Sequence, residues 1–314
     1  MLYLKPTPDI SIIVPVYNES GNIQKLYAQL TAVLSGLPYS HEILFVDDGS
    51  DDDSFLLMKE IAAKDSGFRG LKFSRNFGHQ QAITAGLKHT AGSAVIMMDG
   101  DMQHPPALIP GLIEKWKEGF EIVNTIRKDN ARISLFKKLS SGLFYVIINK
   151  LSTHRIEPAS ADFRLMDRKV VDAFLGLEEK ERFIRGLVNW VGFRSTAIVY
   201  ESGDRLAGES KYTFRKMLKF ALTAVTSFSV KPLRISFYLG TLIAGLGFLY
   251  GVYAIYMAVI GAAVPGWTSI LISVLFLGGV QLISIGLLGE YIGRIFNEVK
   301  NRPLYLITED TRQS

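Results

Sequence analysis

Val95-Ile96-Met97-Met98-Asp99-Gly100-Asp101-Met102-Gln103-His104-Pro105-Pro106 is the stretch from which the rest of the chain can be read. An apolar run with β character ends abruptly in two carboxylates one residue apart, and a Pro-Pro pair stops the segment. The pattern predicts a strand whose C-terminal tip carries acid. In open α/β sheets, ligands bind beyond the carboxyl ends of the strands, where nearby carboxylates can hold Mg²⁺ or Mn²⁺ against substrate phosphates. Asp99 and Asp101 are therefore candidates for a metal–diphosphate site, against the plainer reading of a polar turn.

The same pattern repeats upstream. Ile10–Val16 is a short, β-branched strand ending at Tyr17-Asn18-Glu19-Ser20-Gly21, with a helix from about Asn22 to Leu34. Glu42–Val46 is a second strand ending in Asp47-Asp48-Gly49-Ser50-Asp51-Asp52, with a helix from about Asp53 to Lys64. Gly70–Ser74 leads into Arg75-Asn76-Phe77-Gly78 and a helix to about Lys88. After the Asp99 strand come a helix from about Ala107 to Lys117 and a fifth strand, Ile122–Ile126, ending at Arg127. Five alternations predict a doubly wound, mostly parallel α/β sheet with Tyr17, Glu19, Asp47, Asp48, Asp99, Asp101 and Arg127 on one edge. No Gly-x-Gly-x-x-Gly follows the first strand and no P-loop occurs, which argues against a dinucleotide cofactor or a P-loop NTPase. A nucleotide bound here must be held by side chains and a metal.

The C-terminal part has a different character. Between Arg234 and Glu290 lie 55 residues without a charge, as helix roughly 80 Å and enough for two passes through a bilayer core of about 30 Å. Pro265-Gly266 supplies the turn between spans at about 235–260 and 267–288. Lys231, Arg234, Arg294, Lys300 and Arg302 flank the hairpin and its loop is uncharged, so both chain ends are expected in the cytoplasm. Met1–Pro6 lacks the pattern of a signal peptide, which agrees. The net charge of +5 is concentrated before the hairpin: residues 121–234 hold 21 Lys/Arg against 12 Asp/Glu, and residues 1–120 hold 10 against 14. A basic surplus beside an apolar segment points to anionic lipid rather than nucleic acid. Amphipathic helices at about 134–151 and 213–230 suit a membrane interface or packing on the sheet. Arg205 and Lys211 flank a Gly-containing loop suited to clamping phosphate. The absence of cysteine leaves no disulfide or thiolate metal site. The expected division is a catalytic domain at 1–212, a juxtamembrane helix at 213–234, the hairpin at 235–289 and a C-terminal tail at 290–314.

Pro15-Val16-Tyr17-Asn18-Glu19, Asp47-Asp48-Gly49-Ser50, Arg75-Asn76-Phe77-Gly78, Asp99–Pro106, Asp162-Phe163-Arg164-Leu165-Met166-Asp167-Arg168 and the Arg205–Tyr212 loop together resemble a family 2, GT-A fold glycosyltransferase. Within that group the chain is similar to the polyprenyl-phosphate glycosyltransferases, including the GtrB-type bactoprenol glucosyltransferases and the dolichyl-phosphate mannose synthases. Gly289-Glu290-Tyr291-Ile292-Gly293-Arg294 and Arg302-Pro303-Leu304-Tyr305 extend the likeness past the hairpin. The resemblance implies a nucleotide-sugar donor, UDP-glucose above GDP-mannose or another UDP-sugar, and a polyprenyl phosphate acceptor at the inner (plasma) membrane, with a different lipid acceptor as the alternative and a non-enzymatic membrane scaffold disfavoured by the acids at the strand tips. It implies that Pro15, Tyr17, Glu19, Asp48, Gly49, Gly100, Asp99, Asp101 and Gln103 bind the donor, with Asp99, Asp101 and Gln103 around Mg²⁺ or Mn²⁺. Arg127, Arg205 and Lys211 would bind phosphates, and Asp101 and Asp162 would be catalytic, Asp162 as a base or as an orienting group. A homotetramer would fit the type. The Gln-x-x-Arg-Trp motif of processive synthases is absent, and Arg185 five residues before Trp190 does not supply it.

Overall fold

The structure, a computed structural model, describes residues 7–128, 160–180, 182–201, 231–260 and 266–312. Its elements run β1 (Ile10–Val16), α1 (Ser20–Leu34), β2 (His41–Asp47), α2 (Ser54–Ala62), β3 (Phe68–Phe73), α3 (His79–His89), β4 (Ala94–Met97), a 3₁₀ turn (Pro106–Leu108) and α4 (Ile109–Lys117). Then follow β5 (Ile122–Lys128), β6 (Ser160–Asp167), α5 (Arg168–Leu175), α6 (Ile184–Trp190), β7 (Ser195–Glu201), α7 (Lys231–Val259), α8 (Trp267–Val299) and β8 (Ile307–Asp310). Two compact units divide these elements: the sheet with its helices and the chain from Arg302 onward, and the two long helices α7 and α8.

One eight-stranded sheet has the order β7-β5-β6-β4-β1-β2-β3-β8. Strands β4, β1, β2 and β3 are parallel, as the alternation predicts. All seven residues of β1 are buried, because helices cover both faces of this block and leave its strands no polar side. One core joins Ile10, Ile12, Val14 and Val16 to Ile23, Leu26 and Leu30 of α1. Another joins Leu44, Val46, Leu71 and Phe73 to Ala82 and Ala85 of α3. The chain leaves β1 toward β2 and β3, then crosses back to place β4 on the other flank of β1. That reversal opens a crevice at the carboxyl ends of β1 and β4.

Two strands depart from the simple alternation. β6 inserts antiparallel between β4 and β5, so the fifth strand is not the neighbour of the fourth. β8 comes from the far end of the chain and pairs antiparallel with β3. Segment 290–314, read as a tail, first continues α8 to Val299 and then supplies β8. Helix α8 continues past the charge-free stretch, and Glu290 and Arg294 pair there at i,i+4 across 3.2 Å.

In the second unit, the stretches Leu233–Met257 and Phe276–Val299 are long and apolar enough to cross a membrane. Large side chains such as Phe237, Phe248, Ile255 and Ile283 are exposed along them. The hydroxyls of Ser236 on α7 and Ser284 on α8 lie 2.7 Å apart, a polar link between the two helices. The amphipathic helices expected at 134–151 and 213–230 fall outside the described residues.

Candidate active site

The tips of β1 and β2 are latched to each other. The Asn18 N–H donates to Ser50 Oγ (2.9 Å), the Asp51 N–H donates back to Asn18 Oδ1 (3.0 Å) and the Glu19 N–H donates to Ser54 Oγ (3.1 Å). Asn18 takes a φ of 54° to do so, a left-handed conformation that Asn tolerates. The latch leaves Tyr17 45% exposed at the rim. Pro15 pairs with Val46 inside the sheet, and its carbonyl would lie 3.1 Å from a Cβ on Gly100, so these two backbones meet closely.

Asp48 is buried and turned toward the loop after β3. It accepts from the N–H groups of Phe77 (2.7 Å) and Gly78 (3.1 and 2.9 Å to its two oxygens). Gly49 beside it has φ +71°, and a Cβ there would come within 2.3 Å of the Arg75 carbonyl carbon. Only glycine allows the β2 and β3 loops to approach this closely.

The β4–β6 register brings the remaining acids together. Met97 pairs with Arg164, and two further residues along each strand reach Asp99 and Asp162. His79, at the start of α3, joins them from the β3 side, with Nε2 3.3 Å from Asp99 Oδ1 and 3.7 Å from Asp162 Oδ2. Arg185 on α6 grips Asp162 through both oxygens, at 2.7 and 2.8 Å, and the buried Arg164 stands 3.9 Å away. The Asp99 N–H donates to His104 Nδ1 (3.0 Å), which puts the imidazole proton on Nε2. The His104 ring is stacked on Phe163 at 5.3 Å. Asp101 accepts from the Gln103 N–H (3.0 Å) and Gln103 Nε2 (2.6 Å).

Opposed electrostatic forces act within this group. Burial disfavours the Asp162 carboxylate, but the hydrogen bonds from Arg185 and His79 and the charges of Arg185 and Arg164 overcome it and hold the group far below the usual carboxylate range. Burial raises Asp99, and Asp162 and Asp101 add to it against the pull of His104 and His79. Burial lifts Glu19 as well, with Asp101 and Asp52 contributing against the hydrogen bond from Asn22. His79 moves the other way: burial opposes its charge, yet Asp162 and Asp99 raise it above the ordinary histidine value.

A divalent cation fits this chemistry. Asp99 Oδ1 is buried and accepts no hydrogen bond, and Asp162 and Asp101 add to the cost of its charge. Among the described residues, His79, Asp99 and Asp162 offer ligand atoms within 4.8 Å of one another, a mixed imidazole and carboxylate set that a transition metal such as Mn²⁺ accepts.

Most of the expected site residues thus gather on one edge: Pro15, Tyr17, Glu19, Asp48, Gly49, Asp99, Gly100, Asp101, Gln103 and Asp162. Arg127 is the penultimate residue of β5, in register with Tyr200, and β5 runs parallel to β4 through their common neighbour β6. Arg205 and Lys211 fall outside the described residues. Sequence reasoning missed His79, His104 and Arg185 as members of the cluster. His79 directly follows the Arg75–Gly78 motif and His104 lies inside the Asp99 stretch, so both were within reach. Arg185 carried no local signal.

Residues 11–175 match the family described as Glycosyl transferase family 2, and residues 231–295 match the GtrB C-terminal hairpin. The uncharacterized glycosyltransferase YkcC of Bacillus subtilis (strain 168) is 44% identical over 298 residues, covering 95% of this chain and 92% of the relative. The SfII prophage-derived bactoprenol glucosyl transferase of Shigella flexneri is 44% identical over 304 residues, covering 96% and 98%. A prophage bactoprenol glucosyl transferase homolog of Escherichia coli (strain K12) is 41% identical over 299 residues, covering 95% and 98%.

Proposed function

The chain belongs to glycosyl transferase family 2 and carries the GtrB hairpin, and from this membership we propose that it transfers glucose from UDP-glucose to polyprenyl phosphate at the cytoplasmic face of a membrane. The observation that carries the site assignment is the meeting of Asp99, Asp162 and His79 at the sheet edge, with one Asp99 oxygen buried and accepting no hydrogen bond. Near-full-length relatives named as bactoprenol glucosyl transferases support the sugar and the acceptor.

In this reading Tyr17 offers its exposed ring to the base, Glu19 faces the ribose, and Asp48 with Gly49 shapes the floor beneath them. Asp99, Asp101 and Gln103, with His79 in reach of Asp99, would hold Mg²⁺ or Mn²⁺, and the Gln103 amide also donates to Asp101. When bound, that cation would supply positive charge against the diphosphate that departs with the nucleoside. Arg127, Arg205 and Lys211 are the proposed phosphate contacts of donor and acceptor. The acceptor is a phosphate monoester with a second pKa of about 6, so its oxygen is already a nucleophile at neutral pH and needs no base. Asp162, held ionised between Arg185 and Arg164, suits an orienting part better than proton abstraction.

The hairpin gives the acceptor its meeting place. Both of its ends lead into the sheet unit, which favours an even number of crossings with both termini on one side, and the flanking cations favour the cytoplasm. The isoprenoid chain lies in the bilayer and leaves its phosphate at the surface. Membranes bearing the protein, supplied with undecaprenyl phosphate and labelled UDP-glucose, GDP-mannose or UDP-N-acetylglucosamine, test the donor. Lipid-extractable label from UDP-glucose alone is expected; label from GDP-mannose instead would reassign it.

A further inference from the structure

The Arg302–Tyr305 motif beyond the hairpin has no part in the proposed chemistry, yet its last residue, Tyr305, stacks on the strand that leads to the donor loop. From Arg302 the chain rejoins the sheet unit. The Ser74 N–H donates to the Leu306 carbonyl (3.0 Å), and the Thr311 N–H donates to the Gly70 carbonyl (3.0 Å). Arg69 holds Asp310 through two contacts, at 3.0 and 2.6 Å. The last strand is therefore clamped to β3 at both ends.

Within this clamp, the half-buried ring of Tyr305 stacks face to face on Phe73, with centroids 4.9 Å apart and planes 10° apart. Phe73 in turn meets Phe77 edge to face at 5.7 Å, and all three rings pack on one core cluster. Phe77 and Gly78 are the two residues whose N–H groups grip Asp48. A continuous line of contacts thus runs from the segment behind the hairpin to the carboxylate on the donor-site floor.

We propose that Tyr305 is a positioning residue for the donor nucleotide: its ring backs Phe73 and Phe77 and so fixes the loop that holds Asp48. The proposal rests on the reading of Asp48 as part of the nucleotide site. Stacked aromatic contacts constrain geometry as well as adding apolar area, so loss of the ring should loosen the loop rather than unfold the sheet.

The test uses the full-length protein in detergent micelles, titrated calorimetrically with UDP in the presence of Mn²⁺ and assayed for transfer. Tyr305→Leu should weaken UDP binding by about fivefold and raise the donor KM to match, with kcat and the acceptor KM unchanged. Tyr305→Phe should restore both, because the ring and not the hydroxyl is required. If Tyr305→Leu binds UDP as the wild type does while Asp48→Ala does not, the positioning role is overturned and the site stands. If Asp48→Ala also binds normally, both readings fall. A loss spread equally over donor KM, acceptor KM and kcat overturns the proposal as a general loosening of the fold. Phe73→Leu, which removes the other face of the stack, carries the same readouts if Tyr305→Leu does not fold.

Discussion

Asp162 illustrates how neighbours decide what a carboxylate can do. A general base commonly contributes about 10²- to 10⁴-fold, but a group paired with Arg185 at 2.7 and 2.8 Å has little proton affinity left. Asp162→Asn should therefore lose less than about tenfold in kcat at pH 8, and its pH–rate profile should keep its shape; a collapse of two orders or more would restore the base. Gly49 makes a steric prediction. With φ at +71° and the Arg75 backbone 2.3 Å from the position of a Cβ, Gly49→Ala should cost more than about 1 kcal/mol in thermal or denaturant unfolding. Asp48, Asp99 and Asp101 were legible in the sequence because they close apolar strands, whereas Asp162, near the start of β6, was reached only through the family resemblance. Arg185 was not legible, since its partner Asp162 reaches Asp99 only through an antiparallel register that local spacing does not encode.

Strand β8 shows the corresponding limit for secondary structure. The buried parallel strands are legible as unbroken apolar runs because helices cover both their faces. Ile307-Thr308-Glu309-Asp310 is a short, half-polar edge strand, and only its partner gives it away. Its Arg69–Asp310 pair is largely shielded, with side-chain exposures of 15% and 8%. Burial raises Asp310, but hydrogen bonds from Arg69 and the Arg312 N–H outweigh it and leave the carboxyl below its ordinary value. The pair therefore stabilises the edge fully above the unfolded carboxylate pKa, and that contribution is lost as pH falls through the lower folded value. Arg69→Ala should cost about 1–3 kcal/mol at neutral pH and expose the C-terminus to limited proteolysis. The advantage of wild type over Arg69→Ala should shrink below the usual carboxylate range to what the Arg69 bond to the His89 carbonyl (3.2 Å) contributes; an equal difference at acid and neutral pH would remove the ion pair from the explanation.

The chain combines a sheet whose edge gathers acids with two long apolar helices. Five strand–helix alternations and the 55-residue uncharged stretch made both halves legible from the order of apolar and polar residues. The return of the chain from the hairpin into the sheet was not legible, because nothing in residues 302–312 reads as core. The protein should remain with membranes after a carbonate wash, as exposed apolar helices of this length require; release into the soluble fraction would refute the spans. The most direct measurement reconstitutes the full-length protein in liposomes containing undecaprenyl phosphate and supplies radiolabelled UDP-glucose with Mn²⁺ or with excess EDTA. Solvent-extractable glucose that forms with Mn²⁺, vanishes in EDTA and is absent from Asp99→Ala is the expected result. Label that forms equally well in EDTA or with Asp99→Ala would contradict it.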